Sequence, residues 1–517
     1  MLLPCLTLLP ILWLIVALVA LKIPGHIACL SALAVAVVLG LTLWHMPPMI
    51  AFTSILEGFA TALWPIILVI IAAIFVYNLS LKTGAMDVMK RMLTSVSADQ
   101  RVLILLIGWC FGGFMEGMAG FGTAIAIPAS MLAGMGMNPI LACMVCMLAN
   151  SFPTAFGSVG IPTVTLSNVT GLDVMTLSFT TVIQMMPLMI LVPFLMVIVG
   201  GKGVKALRGM VGITLVSGLS FVIAELFVSK FLGAEITVIV GSVVALGCTL
   251  FMAKMRKNVP VPDEYNLSLG EIKKDEAELK NQMSPLIAWL PFILIFVLLL
   301  LGTSKLVPPI NNALSVFKSS IQISTAETAG PTTFVWVNTP GIWIFAAALI
   351  SGVIQKTSGK LMWETFLATV KQMTRTIITI MSVLAVAKIM TYSGMISDMA
   401  HLFVSLTGKY YPFVAPIIAA IGAFVTGSGT STQVLLGRLQ SEAALAIGAS
   451  TFWLAGANAV GAGIGKILSP QCIATAVAAV NLPGQDSVLL RSILKWVMLI
   501  LVLACMIIGF GQSFAPM

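Results

Sequence analysis

Gly113-Phe114-Met115-Glu116-Gly117 returns 310 positions later as Ala423-Phe424-Val425-Thr426-Gly427. Thr83-Gly84 returns as Ser393-Gly394 at the same offset, and Asn150, Gly157 and Pro162 return as Asn458, Gly465 and Pro470 at an offset of 308. Short Gly-rich matches arise easily in a chain with 44 glycines. Matched features that keep one order across each half are harder to obtain by accident, and they mark an internal repeat.

Each copy has the same grammar. A membrane helix (61–81; 376–393) ends at a Gly, and an amphipathic stretch follows (85–98; 395–409). The next helix runs into a Gly-rich break, Gly112 to Gly122 in one copy and Gly422 to Gly429 in the other. A weakly apolar segment of about 15–20 residues comes next, too short and too interrupted to span fully, and reads as a re-entrant hairpin. A helix interrupted by Gly and Pro follows (Asn150 to Pro162; Asn458 to Pro470), and a continuous helix closes the copy. Broken apolar segments in matching positions of two halves point to a secondary transporter's binding site. Irregular backbone at membrane depth survives only where it is buried or lines a wet cavity.

Composition sets the class around that repeat. The 517 residues carry 27 Lys and Arg and 18 Asp and Glu, are 59% hydrophobic, and have a mean hydropathy of +1.09. Charged residues are 9% of the chain, against about 25% in a soluble domain. So few charges cannot clothe a soluble surface, which excludes a soluble enzyme, a disordered chain and a nucleic-acid binder. Apolar runs of roughly 20 residues suit membrane helices, whereas a barrel needs alternating segments of about 10. The expected fold is an all-α polytopic membrane protein: an inverted-repeat secondary transporter with about 12–14 spanning helices, two re-entrant hairpins and broken helices. Candidate segments lie near 3–21, 25–44, 61–81, 101–115, 138–165, 178–200, 210–229, 234–253, 285–302, 341–354, 376–393, 410–427, 450–480 and 490–511. The domains read as a membrane half over 1–253 (repeat 61–200), a charged extramembrane linker over 254–284, and a second membrane half over 285–517 (repeat 376–511).

The net charge of +9 sits in short clusters beside apolar runs, as in cytoplasmic loops. The clusters are Lys82–Lys90–Arg91–Arg101, Lys202–Lys205–Arg208, Lys254–Arg256–Lys257 and Lys356–Lys360–Lys371–Arg375. This rule puts the first amphipathic arm inside and leaves the second, with His401 and Lys409, outside. Lys202–Arg208 then falls on the wrong side, so one segment is miscounted. The Ser/Thr/Asn/Pro-rich stretch 303–340, with Lys305, Lys318 and Glu327, is placed opposite the linker. The apolar start, Leu2 to Leu21, lacks a basic leader and a small-residue cleavage site and reads as a first membrane helix. Cys143 and Cys146 form a CxxC, but no second one exists and there are three histidines, so these cysteines read as packing residues and no metal is expected.

Ionisable residues inside membrane segments are functional hypotheses, because each costs at least about 2.5–3.5 kcal/mol at the helix centre. They are Glu116, Glu225, Lys388 and Lys466. Glu116, at the first Gly-rich break, either carries a proton or caps free N–H groups. Lys466, at the second helix break, either meets a substrate carboxylate, neutralises Glu116, or snorkels to an interface. Glu225 and Lys388 read as structural. Uncharged polar residues gather at the breaks: Thr123, Asn150, Ser158, Thr426, Ser428, Thr430, Ser431, Asn458, Ser469 and Gln471. Glycines such as Gly120 and Gly122 let backbone amides approach a ligand there, and helix N-termini add partial positive charge. Opposed N-termini make a cradle for a small carboxylate. The alternative is that these residues satisfy freed backbone groups or pack as small-residue contacts.

Four strings carry a resemblance: FMEGMAGFGTAIAIP (114–128), LANSFPTAFGSVGIP (148–162), AFVTGSGTSTQVLLG (423–437) and ANAVGAGIGKILSPQ (457–471), with WPIILVIIAAIFVYNL (64–79) beside them. In these the chain resembles the lactate permease family of bacterial proton-coupled carboxylate transporters. The resemblance covers most of 50–260 and 360–510 and is weak in the linker and in 303–340. It implies a permease of the bacterial cytoplasmic membrane that imports L-lactate, and often D-lactate or glycolate, with a proton. Glu116, Gly117, Gly120, Phe121 and Gly122 match the family's E-G-x-x-G-F-G. Asn150 and Asn458 match its two asparagines, and Lys466, Ser469, Pro470 and Gln471 its G-K-x-x-S-P-Q. Gly429 stands where the family commonly has Asp, and Cys472 where it often has Ser. Coupling here then rests on Glu116 or is altered.

The expectation is a carrier rather than an enzyme, using H⁺ as coupling ion and no cofactor, with lactate and the lipid bilayer as partners and a homodimer left open. Glu116 and Lys466 are the proton-coupling candidates. The rivals are a sodium-coupled carboxylate carrier, an ion-translocating subunit of a larger complex, and an intramembrane hydrolase using Ser428 or Ser431. His401 is far in sequence from those serines, which counts against the last.

Overall fold

The computed structural model describes residues 5–17, 21, 23–94, 96–120, 122–267, 283–302, 308–482 and 484–514. Phe121, Lys305 and residues 268–282 of the charged linker lie outside the described residues. The first half contains α1 (Leu9–Ile15), α2 (Gly25–Thr42), α3 (Pro48–Thr61), α4 (Leu68–Lys82), the short amphipathic α5 (Ala85–Thr94), α6 (Gln100–Met118) and α7 (Thr123–Gly134). It continues through α8 (Pro139–Ala149), α9 (Gly157–Thr170), α10 (Val174–Gly200), α11 (Val211–Phe231) and α12 (Thr237–Met255). The second half contains α13 (Pro285–Gly302), α14 (Pro308–Ser315), a small hairpin of β1 (Lys318–Ile321) and β2 (Thr332–Val335), and α15 (Pro340–Ile354). It closes with α16 (Gly359–Tyr392), α17 (Met395–Thr407), α18 (Tyr411–Thr426), α19 (Gly429–Ile447), α20 (Thr451–Ile467), α21 (Pro470–Ala479) and α22 (Asp486–Gly511).

Among the described residues, ten helices are long and apolar enough to cross a membrane, or twelve if two bent pairs each count as one span. The bent pairs are α8 with α9, at 56°, and α20 with α21, at 48°. The membrane class stands, at the lower edge of the expected helix number. Two boundaries differ from the sequence reading. α3 and α4 form one apolar span, Pro48–Lys82, kinked where Trp64 leaves helical geometry (φ −133°, ψ 120°). α16 begins at Gly359 rather than near 376, because Lys360, Glu364, Lys371 and Arg375 extend a helix that hydropathy alone cuts short.

The third difference resolves the misplaced basic loop. α6 is long enough to cross, but it does not act as a separate span. The ideal Cβ position of Gly112 lies 3.5 Å from the carbonyl of Ala124 and 3.7 Å from Pro128, so α7 turns back along α6. The turn after α7 returns Met137 to Gly200, and Gln100 at the start of α6 donates to the Gly200 carbonyl at 2.9 Å. The start of α6, the end of α7 and the end of α10 therefore share one face. Removing that crossing puts the Lys202–Arg208 loop beside the first arm: Arg101 donates to the carbonyls of Ala206 (3.2 Å) and Arg208 (3.3 Å). Arg256 donates to the carbonyl of Gly209, and Arg91 and Lys356 line one surface cleft. Members of all four basic clusters thus meet on one face, as the positive-inside rule requires. Arg101 itself is buried, paired with Asp99 at 2.8 Å and stacked on Tyr265.

The second copy folds its own hairpin. Tyr411 on α18 donates to Gln440 on α19 at 2.9 Å, and Gln440 donates to the carbonyl of Ala415, so the two helices run antiparallel from a tip at Gly427. α20 lies against α18 at backbone distance. A Cβ on Gly461 would meet the Pro416 carbonyl, and one on Gly465 the backbone of Ala420. Small residues permit this approach where no hydrophobic force drives helices together in lipid.

Candidate functional site

Each broken segment restarts as a helix with a local reason to do so. Gly122 takes a left-handed conformation (φ 88°) ahead of α7, which only glycine adopts without strain. Ser428 caps α19 by accepting from the Ser431 amide, and Ser469 caps α21 by accepting from the Cys472 amide, with Pro470 at the first turn. Between α8 and α9 the chain makes a 3₁₀ turn over Pro153–Phe156, then passes Ser158, Val159 and Gly160 in left-handed geometry before the helix proper.

These four restarts meet. A Cβ on Gly122 would lie 3.0 Å from Thr475 on α21, and one on Gly427 2.6 Å from Gln471. A Cβ on Gly429 would lie 2.8 Å from Thr154, and Gly120 leaves room for the Ser158 hydroxyl. Gln471 in the first turn of α21 is exposed, whereas the starts of α9 and α19 are buried and border one region.

Two charged groups from opposite halves occupy it. Lys466 Nζ lies 2.9 Å from Glu116 Oε1, with side-chain exposures of 10% and 3%. Asn150 Nδ2 donates to Glu116 Oε2 at 2.8 Å, so both carboxylate oxygens are held. Lys466 also donates to the Thr154 hydroxyl at 3.1 Å. Thr154 in turn donates toward the Asn150 backbone carbonyl (2.7 Å) and its side-chain oxygen (3.1 Å). A Cβ on Gly157 would lie 2.7 Å from Glu116 Oε1, which is why the chain has no side chain there. The reading of Lys466 as the cation that neutralises Glu116 matches this geometry.

The other predicted residues divide. Ser158 donates to the Ala119 carbonyl at 2.9 Å and Thr123 to the Gly120 carbonyl at 2.7 Å, which satisfies backbone freed by the first break. Thr426 shares a 3.0 Å hydrogen bond with Thr432 and accepts from the Ser428 amide. Thr430 is buried at the start of α19. Asn458 is not at a break. It sits mid-helix on α20, eight residues before Lys466, and donates to Gln433 at 2.7 Å and to the Thr432 carbonyl at 3.4 Å. The repeat led to a break there, but the second helix bends at Leu468–Ser469, where Pro470 interrupts it. Three buried polar atoms beside this contact, Ser431 Oγ, Gln433 Nε2 and Asn458 Oδ1, have no hydrogen-bond partner among the described residues.

Sequence reasoning passed over Thr154 and Gln433. Both lie inside the strings already singled out, and Thr154 sits four residues after Asn150, one helical turn on. It also missed Glu57, which is buried on α3 and holds Lys388 at 2.5 Å and Tyr392 at 2.9 Å. Glu57 falls in the apolar run between 48 and 61, which had not been read as a membrane segment. Glu225 is fully buried on α11 against Gly241, and neither of its oxygens has a hydrogen-bond partner among the described residues. Cys143 donates to the Ala476 carbonyl at 3.2 Å, and both CxxC cysteines are free and buried.

The family comparison agrees with this architecture. The profile described as L-lactate permease matches residues 5–513. An L-lactate permease of Streptococcus iniae is 40% identical over 450 residues, covering 87% of this chain and 92% of its own. The L-lactate permease of Escherichia coli K12 is 35% identical over 509 residues, with 94% and 92% covered. The glycolate permease GlcA of the same strain is 34% identical over 532 residues, again with 94% and 92% covered. The protein is thus a multi-pass membrane transporter and not an enzyme, and the chain belongs to the L-lactate permease family.

Proposed function

We propose that the protein carries L-lactate or a related short 2-hydroxy-monocarboxylate, such as D-lactate or glycolate, together with a proton. The observation that carries this reading is the buried Glu116–Lys466 pair between the two halves. The argument is one of charge. In a low-dielectric site, leaving one member of an ion pair unpaired costs about 3–5 kcal/mol. The empty site holds one carboxylate and one ammonium and is neutral. If Glu116 takes a proton and releases Lys466, an incoming carboxylate restores neutrality by pairing with Lys466. Proton and anion therefore load together, and either alone leaves an uncompensated charge. Asn150 and Thr154 hold the released groups, and the buried N-termini of α9 and α19 favour the anion. The unpartnered Ser431, Gln433 and Asn458 atoms offer donors and an acceptor of the kind a 2-hydroxy acid needs.

The carrier works through two mirrored halves, 1–253 and 285–517. α9 leaves the site away from the basic face, and Leu166 near its end packs on Gly437 of α19. On this reading the second hairpin opens opposite the first, and alternating access moves the hairpins and broken helices against the remaining helices. The test is uptake of labelled L-lactate into proteoliposomes under an imposed pH gradient. Uptake driven by inward acid is expected, unchanged when Na⁺ is replaced by choline at fixed pH. Absence of pH-driven uptake of any 2-hydroxy acid removes the proposal, and loss of uptake in choline transfers it to sodium coupling.

A further inference from the structure

A cavity of about 300 Å³ lies outside the Glu116–Lys466 site. At ~30 Å³ per water it has room for about ten waters, enough for a small hydrated anion. Its walls come from the end of α9, from α16, from α19 and from the loop between β1 and β2, and they include Lys388, Arg438, Tyr392, Thr391 and Asn168. Among the described residues, no carboxylate lines it. Both cations are tethered from behind and keep spare donors. Lys388 gives one N–H to Glu57 at 2.5 Å and one to Tyr392 at 3.4 Å, of the three an ammonium has. Arg438 gives its Nε–H to Glu442 at 3.0 Å, and its terminal N–H groups have no partner among the described residues. The two side chains are 25% and 39% exposed, so both reach the cavity.

The position matters as much as the charge. α19 starts at the central site with Ser428 and reaches Arg438 seven residues after Ser431, about 10 Å along the helix. α9 starts at the site with Ser158 and reaches Asn168 ten residues on, about 15 Å away. The cavity therefore lies between the end of α9 and the middle of α19, two helices whose starts build the site. Fixed cations in a low-dielectric recess raise the local concentration of small anions and speed their capture.

We infer that this cavity is a second, outer binding site for a short carboxylate, held by Arg438 and Lys388, from which the anion passes to the central site. The inference rests on the carboxylate-carrier reading above. The test compares Arg438→Gln, Arg438→Lys, Glu442→Gln and Asn168→Trp in proteoliposomes, with equilibrium binding of labelled L-lactate to the purified chain. Asn168 is exposed, so the Trp narrows the cavity mouth without disturbing either ion pair. Arg438→Gln and Asn168→Trp should raise KM about tenfold with kcat nearly unchanged, the loss expected for one charged contact. Arg438→Lys should recover most of the affinity. Glu442→Gln, which frees the guanidinium, should lower KM. Binding should fall from two sites per chain to one in Arg438→Gln. If Arg438→Gln and Glu442→Gln shift KM in the same direction, Arg438 only braces the helix and the inference fails. It fails alone if the wild-type chain transports lactate and Arg438→Gln leaves KM unchanged. A wild-type chain that neither binds nor transports lactate overturns this site and the carrier reading together.

Discussion

Glu116 and Lys466 stand 350 positions apart and meet at 2.9 Å, so each is the other's reason for tolerating burial. Glu116→Gln mimics the protonated carboxyl and leaves Lys466 free for the anion. It should cut net pH-driven uptake by at least about tenfold yet keep lactate counterflow at equal pH, since exchange needs no proton release. Loss of both would reduce Glu116 to a structural role. Each single variant also strands a buried partner, Lys466→Met a carboxylate and Glu116→Gln an ammonium. A thermal shift assay in detergent should show destabilisation of about 3–5 kcal/mol, largely reversed in the Glu116→Gln/Lys466→Met double variant. Additive losses would mean that the pair is not the coupled unit drawn here.

At the scale of elements, the site depends on how closely helices approach one another. Gly465 on α20 sits against the Ala420 backbone on α18, one residue before Lys466, so the same contact that packs the helices aims the lysine. Gly465→Val should cost about 1–3 kcal/mol or more through overpacking, read as a lower melting temperature and reduced yield. Gly359→Ala, at a position with nothing within 4 Å of the added Cβ, should change neither. Much of this level is legible in the chain itself. The breaks read from the sequence end at Gly122 and at Pro470, and helices restart there, at Thr123 and at Pro470. The mid-helix position of Asn458 was not legible, because a repeat conserves residue type at a position without conserving where the helix bends.

For the whole molecule, the decisive correction is that α6 and α7 enter and leave by one face. Single cysteines at Lys205 and Lys360, with the exposed Cys5 replaced, should react with a membrane-impermeant thiol reagent from one side only, and both from the same side. A cysteine at Lys409, next to the base of the second hairpin, should react from the other side. Labelling of all three from one side would remove the proposed mirrored arrangement of the halves. The charge clusters carry this information weakly, since they place loops but not the number of crossings between them.

Composition, hydropathy and the repeated Gly-rich breaks determined the class: few charges and long apolar runs leave a chain no solvent but lipid, and broken helices there need a protected polar interior. The residue types at the breaks also singled out Glu116, Lys466 and Asn150, which the structure brings into contact. Only the tertiary structure decided which of the singled-out residues touch. Glu116 chose Lys466 rather than Glu57's partner Lys388, Thr154 entered between them, and Asn458 went to Gln433 instead. Pairing across hundreds of residues is set by which helix faces pack together, and that is a property of the assembled bundle that no local pattern of side chains encodes.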